Sequence, residues 1–240
     1  MPSPLDNPIW HALHTEHSHF AVDAGLARRY PAAIGPLSGM AHPSPHSLES
    51  LRALAGPSGR LALFLEEPLA ATPGWSLTSG WTLERAELLS QMVAAGQPDS
   101  DQDPHFGPGD GPPLRPLTAD DVPQMLVLAE LTEPGPFRER THELGAFFGI
   151  FEGDHLVAMA GQRLHLPHYV EVSAVCTHPE ARGRGYARML IQAVLREIHQ
   201  GGKTPFLHVL ADNHSAIRVY QTLGFTLRRN LHLAVLKNER

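Results

Sequence analysis

At 240 residues, 42% of them hydrophobic, the chain can bury a sizeable core in one large domain or two small ones, yet no apolar run reaches the roughly 18 residues of a membrane span. The formal net charge of −6 is uneven: residues 1–113 hold 5 Lys and Arg against 12 Asp and Glu, net −7, while residues 114–240 hold 14 against 13, net +1, so the acidic front half excludes a nucleic-acid surface. A single cysteine, Cys176, excludes an internal disulfide framework and fits a reducing, cytoplasmic setting.

Met1 to Trp10 lacks the basic flank and apolar stretch of a secretory signal. Helical patterning is predicted around Ile9 to Phe20 and Ala21 to Tyr30, a short strand at Arg60 to Glu66 and another helix at Thr82 to Val93. His11, His14, His17 and His19 follow closely, but no Cys or acidic pair completes a metal site, and they read as surface or interface histidines. The paired Arg28-Arg29 reads as a solvated helix end. No motif gives residues 1–95 a chemistry of their own. Residues 96–113, rich in proline, glycine and aspartate, read as a linker with nothing to bury.

Beyond that boundary, residues 114–240 alternate strands and helices. Leu114 to Leu117 is predicted as a strand. Thr118 is predicted to cap a helix through Leu131, with Asp120 and Asp121 in its favourable first turn. Thr132 to Pro136 breaks this helix and Phe137 to Leu144 is a candidate short one. Strands Phe147 to Glu152 and His155 to His165 are joined by a Gly153-Asp154 turn. The apolar run Val170 to Thr177 forms the central strand, and Cys176 within it reads as a packed small hydrophobe. A helix ending at Gly201-Gly202, a strand over Thr204 to Leu210, a helix over Ser215 to Leu223 capped by Gly224, and a final strand pair within Phe225 to Leu236 complete the order.

Between the central strand and its helix stands Arg182-Gly183-Arg184-Gly185-Tyr186-Ala187. A strand that turns through glycines into a helix presents free backbone N–H groups to one point, with the positive end of the helix dipole behind them. That arrangement binds phosphate or pyrophosphate. The spacing fits neither the dinucleotide fingerprint nor the P-loop. It fits [Q/R]xxGx[G/A], and it resembles the acetyl-CoA loop of the GCN5-related N-acetyltransferase (GNAT) superfamily. Downstream, Asn213-His214-Ser215-Ala216 through Tyr220 to Gly224-Phe225 resembles the family's N-x-x-A-x-x-x-Y-x-x-x-G-F helix, in the FR47-like form of the C-terminal half.

The resemblance implies an α+β, three-layer fold with a mixed, mostly antiparallel sheet flanked by helices. It makes residues 114–240 the catalytic domain. Some relatives carry tandem halves, so residues 1–95 are a candidate degenerate copy of the first half, although no residue repeat is visible. The implied activity is transfer of acetyl, or another short acyl group, from acetyl-CoA to a primary amine on a small molecule or peptide, by direct attack in a ternary complex. No metal, nucleic acid or membrane is implied, and the protein is expected as a monomer or homodimer.

The resemblance places the pyrophosphate over the backbone of Arg182, Gly183, Arg184, Gly185, Tyr186 and Ala187, and the pantetheine arm along Val175 and Thr177. The Val175 N–H would polarise the thioester carbonyl, and Asn213 would hydrogen-bond the pantetheine. Tyr220 matches the residue that protonates the departing thiolate. Glu171 is the candidate base; in an unbulged strand it shares a face with Ser173, Val175 and Thr177. Glu143, His165, His168 or a water wire are the alternatives. A catalytically idle acyl-CoA-binding module, acting through the N-terminal segment, is the competing reading.

Overall fold

The computed structural model describes residues 3–75, 80–94, 96 and 112–239. In chain order the strands are β1 Val22–Asp23, β2 Ala27–Arg29, β3 Ser38–Met40, β4 Arg60–Leu65, β5 Trp81–Ala94, β6 Leu114–Pro116, β7 Phe147–Glu152, β8 His155–Leu166, β9 Tyr169–Thr177, β10 Thr204–Leu210 and β11 Phe225–Asn238. The helices are α1 Pro8–His14, α2 Pro45–Ala55, α3 Val122–Thr132, α4 Tyr186–Gln200 and α5 His214–Thr222. β1–β3 make a small sheet, and the other strands make a sheet in the order β4-β11-β5-β10-β9-β8-β7-β6. Its ladders are antiparallel except the β9–β10 pair.

Three layers result. On one face α4 buries Leu190, Ile191, Val194, Leu195 and Ile198 against Val170, Val172 and Leu207 of the sheet. These residues recur at helical spacing, so one stripe of α4 is apolar, and burial of each stabilises the fold by about 1.5–3 kcal/mol. On the opposite face α3 packs Met125 and Leu128 against Met159, Ala174 and Cys176. α1 covers the neighbouring part of that face, with Ile9 and Leu13 on Leu164, Leu166 and Phe206. The mixed sheet flanked by helices is the architecture expected from the sequence.

Several local expectations are corrected. The Thr82–Val93 stretch is strand β5, not a helix, although Leu, Glu and Ala favour helix. It lies between β11 and β10 and is hydrogen-bonded on both edges, so sheet pairing overrides local preference. Ala21–Tyr30 is the β1–β2 hairpin rather than a helix. Its turn holds Gly25 at φ +76°, with the Gly25 N–H donating to the Asp23 carboxylate at 2.6 Å. The expected final strand pair is one long strand, β11, with register irregularities at Leu227/Arg229 and Val235/Leu236. Phe137–Leu144 contains only a 3-10 turn, Thr141–Leu144. Of the expected 96–113 linker, residues 97–111 lie outside the described residues.

Candidate functional site

β9 is the element on which the site is built. Its parallel ladder with β10 runs only from Tyr169↔Thr204 to Glu171↔Phe206. Beyond that point β10 pairs with β5 alone, and a groove opens between β9 and α5. β9 also carries a bulge. Ala174 sits at φ +52°, a left-handed conformation unusual for a residue with a side chain, and the register with β8 shifts between Met159↔Cys176 and Gly161↔Ser173. The bulge advances the alternation by one residue. Val170, Val172 and Val175 face α4, whereas Ala174 and Cys176 face α3. The expectation that Glu171, Ser173, Val175 and Thr177 share one face is therefore corrected.

After β9 the chain makes a 3-10 turn, Pro179–Ala181, and enters α4 through Arg182–Gly185. Gly183 and Gly185 both have φ +78°. A Cβ on Gly183 would meet nothing within 4 Å, so glycine is favoured there by backbone conformation and not by crowding inside the protein. Gly185 is the N-cap, and no side chain caps the helix. Among the described residues, the first-turn N–H groups of α4 are thus left without a side-chain acceptor at the positive end of a 15-residue helix.

The groove has a volume of about 470 Å³. It brings together Val175, Thr177, Arg182, Gly183, Ala187, Asn213 and Tyr220. These come from two stretches of sequence, 175–187 and 213–220, carried by the end of β9, the loop into α4 and α5. Asn213 caps α5: its Oδ1 accepts from the Ala216 N–H at 3.1 Å and the Ser215 hydroxyl at 2.9 Å. Its Nδ2 makes no hydrogen bond among the described residues. Tyr220 packs edge-on to Phe225 with ring centres 5.9 Å apart. Burial pushes its phenol up to about 12, and its hydroxyl has no hydrogen-bond partner among the described residues. Cys176 lies alongside, buried, its thiol raised to about 11 by burial, so it stays protonated at neutral pH.

The remaining candidates sit elsewhere. The Arg184 guanidinium pairs with Glu152 and also donates to the Glu180 carbonyl at 3.1 Å, turned away from the groove. Tyr186 is in the core, its hydroxyl donating to Glu152 at 3.0 Å. Glu171 is fully buried. Its carboxylate accepts from Arg163 Nε at 2.8 Å and Nη2 at 2.6 Å, and from His208 Nδ1 at 2.7 Å. Burial alone would push this carboxyl up, but the Arg163 charge and hydrogen bonds, with His208, hold it at about 2. Of the alternative bases, Glu143 is paired with Arg140, His165 is largely buried beside His17, and His168 is exposed at the β8–β9 turn. His17 is buried too, its Nδ1 2.7 Å from the Tyr30 hydroxyl.

Sequence reasoning missed Arg163, His208 and Glu152. An arginine inside the apolar run of β8 was a signal for the first, because a carboxylate on a buried strand needs a cation beside it. His208 and Glu152 carried no comparable signal, since their partners are distant in sequence.

Comparison with known proteins bears on the family and the fold. The FR47-like protein family matches residues 147–233. A crystal structure of a GNAT-family protein from Novosphingobium aromaticivorans, assigned as an acetyltransferase, is 36% identical over the whole of both chains, with a TM-score of 0.86. Mycothiol acetyltransferase of Streptomyces scabiei is 38% identical over 81 residues, 33% of this chain and 26% of that protein. The chain thus spans about a quarter of the mycothiol enzyme's length. The ribosomal protein bS18 alanine N-acetyltransferase of Salmonella typhimurium is 28% identical over 130 residues, 48% of this chain and 84% of that one.

Proposed function

The chain belongs to the GCN5-related N-acetyltransferase family, and from that premise we propose that it transfers the acetyl group of acetyl-CoA to a primary amine by direct attack in a ternary complex. The observation that carries this reading is the shared groove. An uncapped helix N-terminus, reached through two left-handed glycines, opens onto the same space as Tyr220, where the β9–β10 ladder ends.

In this reading the N–H groups of Arg182–Ala187 hold the pyrophosphate, and Arg182 adds charge at the groove. Arg184 orders the loop through Glu152 instead of touching phosphate. Past Glu171 the β9 edge has no strand partner on the β10 side among the described residues, so Val175 and Thr177 are free to take the pantetheine arm as an added strand. The Val175 N–H polarises the thioester carbonyl. The amine nitrogen attacks that carbon, the carbon–sulfur bond breaks with its electrons going to sulfur, and the Tyr220 hydroxyl gives the thiolate its proton.

The ammonium proton formed in the attack leaves to water. Glu171 does not take it, because its carboxylate is committed to Arg163 and His208 and stays ionised down to about pH 2. Residues 1–95 serve this site by supplying β4 and β5 to the sheet and by backing the turn before β7, where Thr141 donates to the Ile34 carbonyl at 2.7 Å.

Calorimetry with coenzyme A, followed by thiol release from acetyl-CoA over a panel of amines, tests the proposal. Micromolar affinity with turnover is expected. Affinity without turnover of any amine would favour an idle binding module, and no affinity would end the reading.

A further inference from the structure

A second, smaller cleft lies on the α3 face of β9 and shares no lining residue with the groove. Arg163, Ser173 and Ala174 floor it, and Gly135, Phe137 and Thr141 wall it. Only about 10 Å³ is free inside, room for one water-sized group. Arg163 dominates its chemistry. Nε and Nη2 are engaged by Glu171, and the Phe64 ring centre lies 5.7 Å from Cζ. Nη1 makes no hydrogen bond or ion pair among the described residues. It faces Gly135, 4.0 Å from where a Cβ on that residue would stand.

The guanidinium is held in one orientation by a chain of buried groups. Glu171 fixes it, His208 Nδ1 fixes Glu171 at 2.7 Å, and Gln91 Nε2 fixes His208 Nε2 at 3.0 Å. A buried ion pair adds little net stability, because desolvation offsets the attraction. What it does provide is a donor that needs no reorganisation when a ligand arrives. Ala174, the bulge residue beside this donor, directly precedes Val175, whose N–H faces the reacting carbonyl in the reading above.

We propose that Arg163 Nη1 anchors the acceptor through an oxygen on the carbon next to its amine-bearing carbon, making α-amino carbonyl compounds the acceptor class. The inference rests on the acetyl-transfer reading. Glu171 neutralises Arg163, so the anchor is a neutral pair that takes a carboxylate or an amide carbonyl alike. The small free volume admits that oxygen and excludes a bulky side chain.

The test compares alanine, alaninamide and ethylamine as acceptors with acetyl-CoA, each rate taken per unprotonated amine. Alanine and alaninamide are expected within a few-fold of each other in kcat/KM, and both roughly 10- to 100-fold above ethylamine, the effect of one hydrogen bond to a charged donor. Ser173→Val fills the cleft without touching the ion pair, and Arg163→Lys removes the fork. Each is expected to reduce the ratio to within about threefold, mainly through KM, while Ser173→Val leaves coenzyme A affinity as it was. If Arg163→Lys fails to fold, Ser173→Val still decides the matter. Ethylamine turned over on a par with alaninamide, or alanine preferred over alaninamide as strongly as over ethylamine, overturns the anchor alone. Coenzyme A binding with none of the three amines turned over overturns it as well. Loss of coenzyme A binding in the unaltered protein strikes instead at the acetyl-transfer reading.

Discussion

Tyr220→Phe removes a single oxygen from the groove, and the structure separates its chemical consequence from any structural one. The hydroxyl makes no hydrogen bond among the described residues, and the ring keeps its contact with Phe225 without it. Folding stability and coenzyme A affinity should therefore change by less than about 0.5 kcal/mol. The chemistry should not escape so lightly. With the phenol at about 12 and a free thiol near 8.5, passing the proton to an aqueous thiolate is uphill by about 5 kcal/mol. The burial that raises the phenol also raises the nascent thiolate in the same groove, so the two proton affinities are drawn together where the transfer takes place. Loss of a positioned acid removes about 10²- to 10⁴-fold in rate, or about 3–5.5 kcal/mol of barrier. Single-turnover thiol release with saturating acetyl-CoA measures it, free of product dissociation. The pH profile adds a second reading. The acid acts while protonated, so activity falls as pH rises through about 12, and no basic limb from this group appears below about pH 11. Single-turnover rates within threefold of the unaltered protein would refute the assignment. So would a loss matched by a drop in unfolding midpoint.

Other perturbations probe the framework. Glu171→Gln leaves the Arg163 charge buried without its partner, and urea unfolding should show a loss of about 3–5 kcal/mol; unchanged stability with a lower kcat would instead restore Glu171 as the base. Burial, with the nearby His165 and His19, lowers His17 from 6.5 to about 3, so the unfolded chain takes a proton that the folded one refuses. Stability should be intact above pH 6.5 and fall by up to roughly 4 kcal/mol as pH drops from 6.5 towards 3. Glu171, held at about 2 against an ordinary 4.5, adds a further loss between pH 4.5 and 2. Thermal melts across this range check both: a midpoint constant from pH 7 to 4 would contradict the first, and no loss beyond that of His17 between pH 4.5 and 2 the second. Gly183→Ala should lower stability by only about 1 kcal/mol, since φ is +78° but the space is open. A tenfold or larger loss of coenzyme A affinity in the same variant would report a methyl group intruding on the ligand, and unchanged affinity would count against the loop as the pyrophosphate site.

Much of residues 114–240 was legible because each element carries its own local signal: the apolar stripe of α4, the glycines before it, the Asn213-to-Phe225 motif of α5. The front segment was less so. Thr82–Val93 reads as a helix by residue preference, and nothing nearby announces that β10 and β11 will hold both its edges. α2 did carry its marks, with Ser44 capping it, Pro45 in its first turn and Gly56 at φ +64° closing it, yet no helix was expected there. The bulge at Ala174 left no trace in the alternation of β9, because alanine and serine suit either face. That single shift decides which residues of the strand meet across the groove, and it separates Glu171 from Val175 and Thr177, which line it. The ion pair with Arg163 joins strands β8 and β9 across a turn, and only the register of that turn makes it.

The position of β5 has a further consequence for how the chain comes to be made. This strand leaves the ribosome long before β10 and β11, the two strands that will flank it, and until they emerge both its edges offer unpaired amide and carbonyl groups. Closing the sheet therefore waits on β10 and β11, far downstream of β5, a topology that slows folding and lengthens the interval in which nascent copies can pair with one another. A protein lacking β11 would keep the residues of the glycine loop and of α4 and still be expected to aggregate.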